Sequence, residues 1–475
     1  MQVGRNGALS RSGLVSELEI KVMQPVCRLK VGLLLCLVLP GCSSGRSDGG
    51  GAPNQAGTGG NLAGSGGASA GAGQGGGAAG AGQGGASAGA AQGGGSPAGA
   101  GGAVPSGGMA GASVAGSGGQ GAGGGSAGNG ANPSYIIGAD ITSVQAAEAR
   151  GATYSDGTTQ DILQLLKKHG FNYIRLRTFV DPKAADGYDR QNGYADLAHT
   201  ISFGKRVKAA GLGLLLDFHY SDNWADPGKQ CVPIAWQGYT TVEQLATALH
   251  DYTKDAITQL VAAGARPDMV QIGNEITPGM LIHRCDSGGL PTGNNPVSGA
   301  ISNWANLGAL LKAGVQGVKD VDPSIQIMLH LDRGGDKGGY SGAALNASES
   351  FITNAQKQGV DFDVFGESCY QSYQGDPTSA ANTKTDWAST FAGLAAKFPN
   401  LRFVAAEYGP LQREINDVVF GLAAEAGAGT FNWEPTEQGD WNTGHSLFTA
   451  SGNTNTASAD LALYDAMKTA YQSRL

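Results

Sequence analysis

The chain has 475 residues, 80 of them glycine, and a formal net charge of −8. Most of the glycine precedes residue 132, so the chain is not one fold; the globular part, 132–475, is the size of a single (β/α)8 barrel with extended loops. The acidic balance, with no basic stretch interleaved with aromatics, excludes a phosphate-rich partner, and no nucleic-acid binding is expected.

Arg28 and Lys30 precede an apolar run, 31–39, that is too short to span a membrane as a stable helix. Leu39-Pro40-Gly41-Cys42 follows. It is similar to a bacterial lipobox, in which the cysteine is lipidated and becomes the mature N-terminus. Residues 1–42 therefore read as an export signal, with Met23 as the expected start; an ordinary signal peptide cut nearby is the alternative. The mature protein is expected outside the cell or in the cell envelope, with membrane attachment only through a lipid on Cys42. Residues 43–131 are Gly, Ala, Ser and Gln with almost no large apolar side chains. Such a segment cannot bury enough surface to offset its ordering entropy, so a disordered linker is expected. At ~90 residues it would span on the order of 50 Å.

From residue 132 on, short apolar runs alternate with amphipathic stretches. Strands are predicted at 135–140, 173–178, 213–219, 269–274, 325–330, 363–366, 402–406 and 429–433. Helices are predicted at 161–169, 196–210, 241–263, 304–321, within 342–358, around 385–398, at 413–426 and at 459–472. Eight strand–helix units in strict alternation predict a closed parallel barrel. An open doubly wound sheet shares the alternation, but no glycine-rich phosphate loop follows the first strand.

In such a barrel the active site lies at the C-terminal ends of the strands. Strand one ends at Asp140, and strand two carries Arg175 and Arg177. Strand three ends in Asp217-Phe218-His219-Tyr220, and strand four in Gly273-Asn274-Glu275. Strand five ends in His330-Leu331-Asp332, and strand six runs into Glu367-Ser368-Cys369-Tyr370. Strand seven ends at Glu407, and strand eight in Asn432-Trp433-Glu434. Carboxylates, imidazoles and aromatics converging on one mouth suit acid/base work on a sugar. A retaining glycosidase needs two carboxyls ~5–5.5 Å apart, one neutral to protonate the leaving oxygen and one charged to attack the anomeric carbon. Glu275 and Glu407 are the candidates.

Longer motifs go further. Phe171-Asn172-Tyr173-Ile174-Arg175-Leu176-Arg177, the stretch from Leu216-Asp217-Phe218-His219-Tyr220 through Asp222-Asn223-Trp224-Ala225-Asp226-Pro227-Gly228-Lys229-Gln230, and Gln271-Ile272-Gly273-Asn274-Glu275 resemble the endo-β-1,4-galactanases of glycoside hydrolase family 53. So do His330-Leu331-Asp332 and Trp433-Glu434-Pro435. The resemblance covers nearly all of 135–450. It implies a clan A barrel, retention of configuration, and β-1,4-galactan of plant cell-wall arabinogalactan as substrate. It implies Glu275 as acid/base, Glu407 as nucleophile, and Asn274 on the 2-hydroxyl. Arg175 or Arg177 would hold the nucleophile ionised, with Arg177 preferred because it lies nearer the strand's end. His219 and Trp433 would line the subsite nearest the scissile bond, with Asp140, Trp224, His330, Asp332 and Trp441 as wall residues.

Three stretches depart from the family's usual pattern. Gly279-Met280-Leu281 continues as Ile282-His283 instead of Trp-Pro, Glu367-Ser368-Cys369-Tyr370-Gln371 stands for Leu-Ser-Tyr-Tyr-Pro, and Glu407-Tyr408-Gly409-Pro410 stands for Glu-Thr followed by an aromatic and Pro. All three lie around the sugar site and bear on its subsites. Glu367 adds a carboxylate near the mouth, expected either to raise the pKa of Glu275 or to pair with an arginine. Of six cysteines, Cys231, Cys285 and Cys369 lie in the exported domain, with no zinc-like spacing. Cys231 and Cys285 follow neighbouring strands and are expected to form a disulfide. Some family members hold a structural calcium, but no acidic ligand run of that kind is present, so no metal and no cofactor are expected. A monomer is expected. The competing readings are a clan relative acting on another β-linked plant polysaccharide, and a non-catalytic sugar-binding barrel.

Overall fold

The computed structural model describes residues 134–332, 344–370, 380–436 and 446–475. The export signal, Cys42, the linker and Trp441 lie outside the described residues. Eight parallel strands form the centre: β1 (Ile136–Asp140), β2 (Tyr173–Thr178), β3 (Gly213–Phe218), β4 (Met269–Ile272), β5 (Gln326–Leu331), β6 (Val364–Ser368), β7 (Arg402–Tyr408) and β8 (Gly427–Trp433). They close in the order β1-β8-β7-β6-β5-β4-β3-β2, and the β1–β8 pairing runs from Ile136↔Gly429 to Asp140↔Trp433. That closure excludes the open sheet.

Each strand leads to a helix: α1 (Ile162–Lys168), α2 (Leu197–Ala209), α3 (Val242–Ala262), α4 (Trp304–Lys319), α5 (Ala344–Lys357), α6 (Ala380–Lys397), α7 (Gln412–Phe420) and α8 (Leu461–Ala470). Their starts are written in the caps. Asp161 accepts from Leu163 N and Gln164 N, and Asp196 from His199 N. Thr241 and Gln244 form a reciprocal capping box. Helix α7 stops at Phe420 rather than running to 426. Gly427 opens β8 directly against the Val419 carbonyl, where a Cβ would come within 1.8 Å of the oxygen. The chain must turn back before then, and this tertiary demand overrides the helix propensity of Leu422-Ala423-Ala424.

Two hairpins give a four-stranded side sheet in the order Phe448–Ser451, Thr454–Ala457, Thr153–Ser155, Thr159–Gln160, which ties the segment after β1 to the segment after β8. These strands are two to four residues long, too short for alternation to mark them in the sequence.

The strands are buried on both faces. Outward side chains pack under the helices, while Ile136, Tyr173, Leu215, Met269, Met328, Val364, Val404, Ala428 and Phe431 fill the barrel. Small residues face large ones there: a Cβ on Gly138 would lie 2.3 Å from the Phe431 ring, and one on Gly213 2.2 Å from the Tyr173 ring. This apolar plug is the floor on which the polar site stands.

Candidate active site

Side chains alternate along a strand, so the inward position two residues beyond each plug residue belongs to the next layer. In that layer the side chains turn polar: Arg175 after Tyr173, Asp217 after Leu215, Gln271 after Met269, and His330 after Met328. Arg175 is the hub. It is 1% exposed. Its Nη1 donates to Asp140 Oδ2 at 3.0 Å and Glu407 Oε1 at 2.9 Å. Its Nη2 donates to Asp217 Oδ2 at 2.9 Å and Asn274 Oδ1 at 2.8 Å, and its Nε to Gln271 Oε1 at 3.3 Å. Five fixed donors meet five acceptors, as a guanidinium allows.

Each glutamate owes its position to a local irregularity. Val404 and Ala406 of β7 both face the barrel interior, so strict alternation would send Glu407 outward. The register with β6 and β8 shifts here, with Glu367 opposite Ala405 but Ser368 opposite Glu407. This bulge brings Glu407 inward, while Tyr408 turns out to Tyr464. Glu275 sits beyond β4, where Gly273 has φ +81° and Glu275 itself φ +46°. The left-handed turn aims the carboxyl across the mouth. Gln230 fixes it by donating Nε2 to the Asn274 carbonyl at 2.9 Å and the Glu275 carbonyl at 3.3 Å. The next residue, Cys231, is disulfide-bonded to Cys285 across two loops, with Cα atoms 5.9 Å apart.

The two carboxyls face each other: an oxygen of Glu275, an oxygen of Glu407 and a ring nitrogen of His330 all lie within 4.8 Å of one another. Their surroundings differ. Glu407 has the Arg175 guanidinium, and Tyr370 Oη donates to its Oε2 at 3.1 Å. Among the described residues Glu275 has one side-chain partner, Ser368 Oγ, at 2.7 Å. Burial raises both pKa values, but Arg175 pulls Glu407 back while the charge on Glu407 pushes Glu275 higher. Of the pair, Glu407 ionises first and Glu275 keeps the proton. The trio with His330 is the one grouping with metal-ligand spacing among the described residues. Its atoms are engaged by Arg175, Tyr370, Ser368 and Asn274.

The pair opens onto a cleft of about 580 Å³. Among the residues named from the sequence, Asp140, Arg175, Arg177, His219, Trp224, Asn274, Glu275, Glu407 and Trp433 line it. His219 Nε2 meets Asp217 at 3.1 Å, and its Nδ1 accepts from Ala225 N at 3.0 Å, which fixes the ring's orientation. Trp224, Trp433 and Tyr370 form an edge-to-face series with centroids 6.3 and 6.4 Å apart.

Four expectations are corrected. Arg177 does not reach Glu407; it pairs with Glu434, lies 3.5 Å from Asp140 and stacks 4.3 Å over Trp224. Being nearer the rim, it meets the carboxylate that follows β8, whereas Arg175, a layer deeper, lies under the cleft and reaches Glu407. His330 and Asp332 are not wall residues. His330 is fully buried beneath the cleft against Asn274 and Ser368, and Asp332 is held by Thr277. Among the described residues Glu367 neither approaches Glu275 nor pairs with an arginine. It alternates outward from Ser368 and meets Ser348 of α5 at 2.5 Å.

The sequence model of glycosyl hydrolase family 53 matches residues 136–394. The chain belongs to this family. An uncharacterized protein of Niallia circulans is 38% identical over 260 residues, 54% of this chain and 65% of that protein, so the chain spans just under two thirds of that relative. An arabinogalactan endo-β-1,4-galactanase of Thermothelomyces thermophilus is 32% identical over 349 residues, 66% of this chain and 95% of that protein. The Ignisphaera aggregans family 53 catalytic domain superposes with a TM-score of 0.58 at 27% identity, over 71% of this chain and 97% of that domain. The chain is a glycoside hydrolase.

Several residues of this family 53 site were given no role from sequence: Tyr370 on Glu407, Ser368 on Glu275, Gln271 and Asp217 on Arg175, Gln230 behind Glu275, and Tyr188, Asp226, Lys229 and Glu434 on the cleft wall. For Asp217 and Gln271 the signal was available, as polar residues spaced two from an apolar strand position. Tyr188 comes from a loop, and only the fold brings it beside Trp224, at 5.5 Å.

Glu367 gives a stability prediction. It is fully buried, and burial holds its carboxyl well above the ordinary range. A raised folded-state pKa contributes stability that is present below the unfolded value and lost as pH rises through the folded one. Glu367→Gln removes that loss. Its melting temperature should therefore gain on the wild type's progressively as the pH rises above about 5, where the unfolded-state carboxyl ionises; a difference that stays constant with pH would contradict this.

Proposed function

We propose that the barrel is a retaining endo-glycosidase of β-1,4-galactan, with Glu275 as acid/base and Glu407 as nucleophile. The observation that carries this is the asymmetry of the facing pair. Its oxygens lie within 4.8 Å, near the ~5–5.5 Å carboxyl spacing of retaining enzymes, and among the described residues Glu407 has a guanidinium partner while Glu275 has none. In the first step Glu275 gives its proton to the glycosidic oxygen as Glu407 attacks the anomeric carbon, forming a glycosyl ester and releasing the leaving sugar. In the second, Glu275 takes a proton from water, whose oxygen displaces Glu407. Asn274 Nδ2 spends one hydrogen on the Ala225 carbonyl at 2.8 Å, and its other serves the 2-hydroxyl.

Galactan is supported by the Thermothelomyces relative, named as an arabinogalactan endo-β-1,4-galactanase. Trp224, Trp433, Tyr370 and Tyr188 offer rings for the apolar faces of successive pyranoses. The Cys231–Cys285 disulfide supports work outside the cytoplasm. Reducing-end release should be measured on β-1,4-galactan, mannan, xylan and cellulose. Release from galactan alone is expected. Release only from another polymer would reassign the substrate, and release from none would remove β-1,4-galactan as the substrate.

A further inference from the structure

Glu275, Ser368 and His330 form a chain of hydrogen bonds whose directions are fixed from its far end. Arg175 Nη2 can only donate, so the Asn274 atom it meets at 2.8 Å is Oδ1, consistent with Asn274 Nδ2 donating to the Ala225 carbonyl. His330 Nδ1 lies 3.0 Å from that same oxygen, where a lone pair would face a lone pair. Nδ1 therefore carries the hydrogen. Gln271 Nε2, 3.2 Å from Nδ1, has nearer oxygens: Asp217 Oδ1 at 2.6 Å, and Asn274 Oδ1 and the Gly273 carbonyl, each at 3.1 Å. Full burial, with Arg175 adding to it, pushes the His330 pKa far below its usual value, so the ring is neutral and Nε2 can only accept. Nε2 lies 2.9 Å from Ser368 Oγ, so the serine hydroxyl donates to it. Ser368 has one proton to give. The 2.7 Å contact between Ser368 Oγ and Glu275 Oε1 is then filled by the proton of a neutral Glu275, with Oγ accepting.

We propose that Ser368, oriented by His330, is a positioning residue that holds Glu275 in its protonated form before the first step and reverses its hydroxyl for the second. This rests on Glu275 being the acid/base. Once Glu275 has given its proton to the glycosidic oxygen, its carboxylate can only accept. The Ser368 hydroxyl then turns from His330 Nε2 to Oε1. When water returns a proton to Glu275, the hydroxyl turns back. No proton enters or leaves the serine–histidine pair over the cycle. The three residues lie at the ends of successive neighbouring strands, Glu275 beyond β4, His330 on β5 and Ser368 on β6, so one hydroxyl rotation serves both states without backbone movement.

The state of the His330 ring decides this. In Ser368→Ala the Nε2 signal in nitrogen NMR of histidine-labelled protein should move toward that of an unbonded ring nitrogen, because its donor is gone; an unmoved signal overturns the proposal. The same spectrum of the wild type reads the tautomer directly, with His330 assigned by its loss in His330→Gln. Hydrogen on Nδ1 is expected; hydrogen on Nε2 overturns the proposal. That readout does not depend on turnover, so it remains valid even if Glu275 variants show the acid/base assignment to be wrong.

Discussion

Glu407→Gln should abolish turnover on every substrate, with a rate loss on the order of 10⁴-fold or more, as found when other enzymes lose their nucleophile. The amide keeps the volume of the carboxylate but cannot attack the anomeric carbon. Good leaving groups cannot rescue it, because the missing bond is the one to the enzyme. The fold should survive, since Arg175 keeps Asp140 and Asp217 as charged partners. The check is initial rates on galactan and on aryl β-galactotriosides, with melting curves to confirm folding. A folded variant within tenfold of wild type would remove Glu407 from the mechanism.

Glu275→Ala should behave differently, because the two roles proposed for it fall in different steps. On galactan, where the leaving sugar needs a proton, the loss should be ~10²–10⁴-fold. On an aryl galactotrioside with an acidic phenol, the first step should stay close to wild-type rate. The glycosyl-enzyme then accumulates, because no base activates water, and a burst of phenol precedes a slow steady state. Azide needs no base and should restore turnover, giving a galactosyl azide of retained configuration. Equal losses on both substrates, or no rescue by azide, would show that Glu275 does not act as the acid/base.

The barrel was legible in the sequence because each buried strand is a short apolar run, each helix an amphipathic one, and the boundaries carry Asp, Thr or Gly signals. Helix α7 was drawn too long because helix propensity at Leu422-Ala423-Ala424 does not register the Val419 carbonyl waiting for Gly427. Within the candidate site, strand ends pointed to the mouth where these residues line one cleft, but not to depth. Arg175 and Arg177 share one face of β2, and only the closed barrel shows that the deeper one reaches Glu407. His330 and Asp332 look alike as polar strand-end residues, yet each is buried behind the cleft by a neighbour from another strand or loop, Ser368 and Thr277. Glu367 and Ser368 are adjacent in sequence and point to opposite sides of the sheet, so the added carboxylate lies outside the site. The bulge in β7 was not visible in the sequence, because an alternating reading of Val404-Ala405-Ala406-Glu407 places the glutamate outward.

The central claim, a galactan-cleaving enzyme whose two facing glutamates act in succession, is tested most directly by proton NMR of β-1,4-galactan during the first minutes of digestion. Two displacements at the anomeric carbon must release the new reducing end as the β anomer, with the α signal rising only as mutarotation proceeds. First appearance of the α anomer would mean a single displacement and would contradict the assignment of Glu407 as nucleophile.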